Sequence, residues 1–297
     1  MSYCKKGVKA EYMTQRILVT GATGNVGAEV VKHLQASAYK VVVGVRDIEQ
    51  ARGLFGPGLE YVRLDFRQPA TFEDALKDVQ KIFLVRPPDI SNITKYVAPF
   101  VAAAQQAHVA HIVFLSLLGA EKNWVVPHYK IEKTILTAGL DWTFLRASFF
   151  MQNLNTTHRD DIKERGQVYI PAGRGKTSFI DVRDIGAIAA KTLTEDGHQG
   201  QAYPLTGKVA LDYYEVAREL SQVLGRPIRY SHPSPITFGW QMYKRKIPIS
   251  FIIVMLGIYT TARLGLAATV TSDTERLLGR PPLTMRQYID DYKQSWM

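Results

Sequence analysis

The sequence predicts an α/β protein, a doubly wound parallel sheet with a smaller, mostly helical C-terminal lobe. Three observations predict it. Short β-branched runs alternate with helical patterns through the first half of the chain. The runs at 41–45, 82–85 and 112–115 are four or five residues long and apolar throughout, as strands covered on both faces require. A glycine-rich turn joins the first run to the first helical pattern.

Taken in order, Arg16 leads into Ile17, Leu18 and Val19, the first strand. Met13 stands just ahead of it, so residues 1–12 are expected to be a disordered extension. Further strands are expected at 41–45, 61–64, 82–85, 112–115 and 143–145, with helices at 26–35, 70–79, 93–107 and 127–138 between them. Right-handed crossovers make this order doubly wound. Beyond Arg146 the pattern loosens. A polar loop over 153–166 precedes strands at 168–170 and 178–182, a helix opened by Asp184, and a strand at 202–205. An amphipathic helix at 211–224 begins a mainly helical end. The expected division is a nucleotide-binding core over 13–207 and a smaller lobe over 208–297, closing a cleft that 147–175 also line.

Composition is that of an ordinary globular protein, 46% hydrophobic and 22% charged. Cys4 is the one cysteine, which excludes an intramolecular disulfide and fits a reducing, cytoplasmic setting. The first dozen residues are polar and carry Lys5, Lys6 and Lys9, unlike a secretory signal. The longest apolar run, 249–260, falls short of the roughly 20 residues of a membrane-crossing helix. It reads as a buried helix, with an interfacial helix as the second reading, and no membrane partner is expected. Net charge is +10, yet the basic residues are dispersed apart from Lys244, Arg245 and Lys246. That pattern suits a solvated face with a few anion contacts and argues against a nucleic-acid groove.

The turn Thr20-Gly21-Ala22-Thr23-Gly24-Asn25-Val26-Gly27 follows a strand and opens a helix. Gly21 permits the tight turn, Gly24 lets the backbone approach a pyrophosphate, and Gly27 lets helix and strand pack closely. Thr23, Asn25 and Val26 complete the phosphate cradle at the helix N-terminus. This is a Rossmann-type dinucleotide site. Arg46 stands at the tip of the second strand, 19 residues past Gly27, where a guanidinium would pair with a 2′-phosphate. The expected cofactor is therefore NADP(H). Asp47 keeps NAD(H) as the alternative, since it either holds a ribose or caps the next helix. Asp65 and Phe66 close the third strand and would flank the adenine, and Val85 and Arg86, at the end of the fourth, are further cofactor-binding candidates. The stretch 173–177 imitates a nucleoside-triphosphate loop but has Ile170 where a glycine is needed, so it reads as a turn. His108 and His111 have no cysteine or carboxylate cluster near them in sequence, and no metal site is expected.

The glycine spacing, Arg46, the stretch 128–132 and the run from Leu145 to Asn153 together resemble the NmrA-like atypical short-chain dehydrogenases. So do the stretches 179–184 and 278–282, and the resemblance runs from about residue 15 to Tyr292. It implies a function among NADPH-dependent quinone and azo reductases, reductases of aromatic metabolites, or redox-sensing regulators. Ordinary short-chain dehydrogenases use a tyrosine and a lysine four residues apart on a helix, and Tyr129 and Lys133 match that spacing. The family's lysine, however, lies about fifteen residues before the threonine of the next strand. Counting back from Thr143 gives His128, with Trp124 in the tyrosine slot and Glu132 on the family's glutamate. His128, Ile131 and Ile135 share the sheet-facing side of their helix, whereas Tyr129 and Lys133 sit one step around.

The catalytic candidates are accordingly His128 and Ser116. His128 follows Pro127 at a helix start and either serves the site or bonds to the loop below; Ser116 matches the family's cleft serine or is a turn serine. Phe149, Phe150 and Asn153 follow the sixth strand and are expected to line a pocket for a flat ring. The leading expectation is an NADPH-dependent reductase passing hydride to a small aromatic acceptor such as a quinone or azo compound. The alternatives are an NADP(H)-sensing protein with a protein partner, and a nucleotide-sugar epimerase-like enzyme that would need the Tyr129 register. Sequence leaves the oligomeric state open.

Overall fold

The computed structural model describes residues 15–297, so the expected extension over 1–12 and the role of Met13 lie outside the described residues. The first strand, β1 (Arg16–Thr20), feeds α1 (Asn25–Gln35), β2 (Lys40–Val45), α2 (Ile48–Phe55) and β3 (Glu60–Arg63). A 3-10 turn and the short α3 (Phe72–Leu76) then lead to β4 (Val79–Leu84). Next come α4 (Ile93–Tyr96), α5 (Ala98–Gln106), β5 (His111–Leu117), α6 (Pro127–Thr137) and β6 (Asp141–Ala147). With β8 (Gln201–Leu205) these strands form one sheet in the order β3-β2-β1-β4-β5-β6-β8. Every pair from β3 to β6 is parallel. The order reverses between β1 and β4, so the crevice at their carboxyl ends is the topological switch point of a Rossmann-type sheet.

The expected buried runs are the sheet core. Ile17, Leu18, Ile82, Phe83, Ile112 and Val113 have no exposed surface. Helices supply the second layer through Phe100, Val101, Ile131 and Ile135.

The chain divides into two compact units, one holding the residues up to Ala147 with Ile185–Pro204, the other Ser148–Asp184 with Leu205–Met297. The boundary thus falls at Ala147 and not only near 207, because 148–184 packs into the second unit's own core. That core gathers Ile162, Tyr213, Phe238, Tyr259, Tyr288 and Trp296. The second unit contains α7 (Arg159–Arg165), β7 (Gln167–Val168), the start of α8 (Val182–Thr194), and α9 (Tyr213–Leu224). It continues with β9 (Arg229–Tyr230), α10 (Pro235–Lys244), α11 (Ile249–Arg263), α12 (Asp273–Leu278) and α13 (Met285–Tyr292). Strands β7 and β9 pair with each other as a separate two-stranded sheet.

Three expectations are corrected here. The stretch 178–182 is not a strand: Ile180 makes a single bridge with Phe150, and Val182 already begins α8. The polar loop 153–166 contains α7, with Asp160 and Asp161 in its first turn and Gly166 in the left-handed conformation ending it. Helix α11 is not buried throughout, since Ile252, Met255, Tyr259 and Ala262 face the core while Ile253, Val254 and Ile258 are exposed. The turn expected over 173–177 is present, and its glycines have a reason. Gly173 has φ +62°, and a Cβ on Gly175 would lie 1.9 Å from the Ala262 carbonyl oxygen.

Candidate functional site

The glycine turn lies at the carboxyl end of β1, and each of its glycines is needed differently. Gly21 has φ +60°, where a side chain is strained. A Cβ on Gly27 would lie 2.2 Å from the Gly21 carbonyl oxygen, so only glycine lets α1 sit this close to the turn. At Gly24 a Cβ would meet that same oxygen at 3.3 Å and nothing else within 4 Å, a tight contact that a shift of a few tenths of an ångström would relieve. Gly21, Thr23, Gly24 and Asn25 are exposed, and Val26 is buried. Helix α1 starts at Gly24 with no side-chain cap and no acid in its first turn. By contrast α2, α9, α10 and α13 are capped by Asp47, Asp212, Ser234 and Thr284. An uncapped N-terminus behind an open glycine cradle suits a pyrophosphate. Thr20 fixes the crevice wall, its hydroxyl accepting from the Val85 amide at 2.8 Å.

Arg46 is exposed at the end of β2, and among the described residues no hydrogen bond or ion pair holds it. Its charge helps lower the pKa of Asp89, where burial acts upward and is outweighed by bonding to Arg67. Asp47 is occupied as a helix cap, accepting from the Gln50 amide at 3.0 Å. Asp65 accepts from the Arg67 amide at 2.9 Å. The Phe66 ring is buried edge-on against Phe100, 5.0 Å between centroids. Arg86 folds back on its own loop and donates to the carbonyls of Pro87, Pro88 and Ile90, leaving Nε buried and unpartnered.

Near the end of β5, the Ser116 hydroxyl donates to Glu132 of α6 at 2.6 Å. Arg146, at the end of β6, grips the same carboxylate with Nε at 3.1 Å and Nη2 at 2.8 Å and reaches Glu121 at 3.3 Å. Burial works against the Arg146 charge, but its bonds to Glu132 hold the pKa above the usual value. Arg146 was not singled out from the sequence. Its signal is visible only when the ends of β5, β6 and the first turns of α6 are brought together.

His128 stacks on Phe114 of β5, with centroids 5.9 Å apart and planes 28° off parallel. Burial, and then the Arg86 charge, push its pKa down to about 3, and Nδ1 is buried without a partner. The imidazole is neutral at physiological pH. One step around the helix, the Lys133 ammonium lies 5.6 Å from the Tyr129 ring centre, and Lys133 is exposed. Trp124, in the tyrosine slot, is 71% exposed. The strand ends thus bring Ser116 and His128 to the same sheet edge as the glycine turn and Arg46.

Phe149, Phe150 and Asn153 belong to the second unit. Phe149 packs against that unit's core, and its carbonyl accepts from Ile180 at 2.9 Å. Phe150 makes the bridge to Ile180, and the Asn153 carbonyl accepts from the His158 amide at 3.0 Å. All three are partly exposed. Among the described residues no group of histidine, cysteine and carboxylate side chains is placed to hold a metal.

Comparison with known proteins fits this geometry. The model of the NmrA-like family matches residues 13–265. A NAD(P)H azoreductase of Xenophilus azovorans is 36% identical over 281 residues, covering 92% of this chain and 96% of the relative. An NADPH-dependent quinone oxidoreductase of Escherichia coli, solved in complex with NADPH, superposes with a TM-score of 0.85 at 26% identity, over 93% of this chain and 99% of that one. The triphenylmethane reductase of Citrobacter sp. complexed with NADP(H) gives 0.82 at 27% identity, over 94% and 99%. With a family model spanning most of its length and a relative this similar end to end, the chain belongs to the NmrA-like family.

Proposed function

We propose that this protein is an NADPH-dependent reductase of flat, electron-poor aromatic acceptors such as quinones or azo compounds. The observation that carries it is the open, uncapped glycine cradle at the switch point with the free Arg46 guanidinium at the next strand tip. Gly21, Gly24 and the first amides of α1 would hold the pyrophosphate, and Arg46 the 2′-phosphate. The capping role of Asp47 favours NADP(H) over NAD(H). The reductase relatives at 36% and 26% identity support the reaction class.

When bound, the nicotinamide supplies the hydride; the chain's own residues position the acceptor. His128, neutral and stacked on Phe114, offers a hydrogen bond to the acceptor's heteroatom without adding charge. Its pKa of about 3 makes it an orienting group, since almost none of it is imidazolium at neutral pH. Such acceptors yield anions that take a proton from water, so a strong acid is dispensable. Ser116 is fixed by Glu132 and Arg146 and shapes the floor beside it. In the second unit, Phe149, Phe150 and Asn153 remain our candidates for contact with a flat ring.

The test is to mix the protein with NADPH or NADH and a panel of quinones and azo dyes, following absorbance of the reduced cofactor. Turnover with NADPH preferred is the expected outcome. The second reading, an NADP(H)-sensing protein, is favoured by Trp124 in the tyrosine slot. NADPH binding without turnover across the panel would establish it instead.

A further inference from the structure

The second unit carries an apolar face that its own core does not use. Helices α10 and α11 pack together through Gly239, where a Cβ would stand 3.6 Å from Leu256 and 3.9 Å from Ile252. On the outer side α10 exposes Ile236, Trp240 and Tyr243, and α11 exposes Ile253, Val254 and Ile258. Leu264 and Leu266, just past α11, are each 68% exposed. Isolated apolar side chains at a surface are normal; this many exposed on two helices packed against each other mark a candidate interaction face.

The charge around it says what it meets. From Leu220 to Ser272 there is no aspartate or glutamate, and Lys244, Arg245, Lys246 and Arg263 are the cations on or next to α10 and α11. Arg245 is consumed by Asp161, with bonds of 2.8 Å from both terminal nitrogens. Lys244, Lys246 and Arg263 are exposed at the edge of the face. Lys244 lies 5.1 Å over the Trp240 ring, which in turn stacks on Tyr243. A shallow depression of about 470 Å³ adjoins the end of α11, lined by Arg174, Lys176, Arg263, Leu264 and Gly265; Lys176 pairs with Glu215 at 3.6 Å, which leaves Arg174 and Arg263 as its cations.

We infer that this face docks on an anionic lipid surface, with α10 and α11 lying in the interface and the basic rim meeting the headgroups. Trp and Tyr beside Lys are the side chains that settle at the headgroup level, apolar body inward and polar tip outward. Residues such as Ile253 and Val254 would enter the acyl boundary. At 15 residues α11 is about 22 Å long, too short for a bilayer core of about 30 Å. Among the described residues no helix is long and apolar enough to cross a membrane, so the contact is along the surface. A second copy suits the face poorly, because a two-fold contact would set the lysines of one rim against those of the other with no carboxylate to pair them. The inference stands apart from the reductase reading, because its test needs no turnover.

Full-length protein is floated with phosphatidylcholine vesicles, with or without phosphatidylglycerol. It should rise only with the anionic vesicles, release at high salt, and show a blue-shifted Trp240 signal that Trp240→Phe removes. Lys244→Glu with Lys246→Glu should lower partitioning at least about 20-fold, taking roughly fivefold for each basic residue near the surface. Val254→Asp should lower it as well, with Val254→Ser as the milder change should the aspartate variant fail to fold. No partitioning at lipid excess would overturn the proposal. So would binding indifferent to both sets of changes, or a solution dimer that Val254→Asp dissociates, which would assign the face to a second copy.

Discussion

Gly24 and Gly27 stand three residues apart in one turn, yet they answer to different neighbours. A side chain at Gly27 collides with the Gly21 carbonyl, so Gly27→Ala should cost the fold about 1–3 kcal/mol, read as a lower denaturation midpoint. At Gly24 a side chain would press on one backbone oxygen alone, at 3.3 Å, and on the proposed reading it would also fill the space of the pyrophosphate. Gly24→Val should melt near the wild-type temperature and show no heat of NADPH binding by calorimetry. Unchanged affinity in a folded variant would mean the phosphate lies elsewhere. Arg46 makes the matching case for the 2′-phosphate. Its removal should cost about 1.5–3 kcal/mol, or roughly ten- to a hundredfold in NADPH affinity, with NADH binding nearly untouched. Competitive titration of Arg46→Ala with both cofactors checks it. Equal binding of both by the wild type would return the choice to Asp47, against its capping bond to Gln50.

At the scale of the element, α6 presents its faces to different tasks. The inner face carries His128, Ile131, Glu132 and Ile135, and the outer face Tyr129 and Lys133, which stack on each other. Tyr129→Phe should therefore leave turnover within a few-fold of wild type. His128→Ala should lower kcat by about tenfold, and His128→Gln should restore part of it, because hydrogen bonding and not protonation is lost. With the imidazole pKa near 3, the rate should show no inflection from His128 between pH 5 and 8. An inactive Tyr129→Phe would reinstate the ordinary dehydrogenase register. Glu132 ties three elements, since Ser116, Arg146 and its own helix meet at one carboxylate. Glu132→Ala leaves the partly buried Arg146 guanidinium with Glu121 alone and should cost about 1.5–3 kcal/mol in urea denaturation. The helical face of His128 was legible from the spacing of Ile131 and Ile135. The Arg146 grip was not, because it depends on the end of β6 arriving beside α6.

Across the whole molecule, buried histidines set the acid limit. His111 and His158 both have pKa values pushed down to about 4, chiefly by burial, with Lys81 adding to the first and Arg245 to the second. At His111 the Thr143 hydroxyl is committed to the His198 carbonyl, so Nε2–H donates to Thr143 and Nδ1 stays bare and unpartnered. Between the ordinary value of 6.5 and about 4, the unfolded chain binds protons that the native state refuses. Stability therefore falls as pH drops through that window and levels off below it, by about 3 kcal/mol for each histidine. Thermal melts between pH 7 and 4 should show the loss, and His111→Gln should remove about half of it, leaving the share of His158. A melting temperature constant over that range would contradict both assignments.

What the sequence determined was local and periodic. Uninterrupted β-branched runs fixed six parallel strands, the glycine spacing fixed the turn and the crevice beside it, and Arg46 fixed the strand tip. Each depends on neighbours within a few residues, so the residue order contains the physics. The tertiary structure decided where partners come from far away. The stretch 178–182 has β-branched character but finds one bridging partner, and without a ladder it is no strand. The stretch 148–184 joins the second unit because its apolar side chains fill that core, which sequence distance does not reveal. Helix α11 is the sharpest case. It is apolar all round, so no periodicity marks an inner side, and only the packing of Ile252, Met255 and Tyr259 shows which side is left facing out.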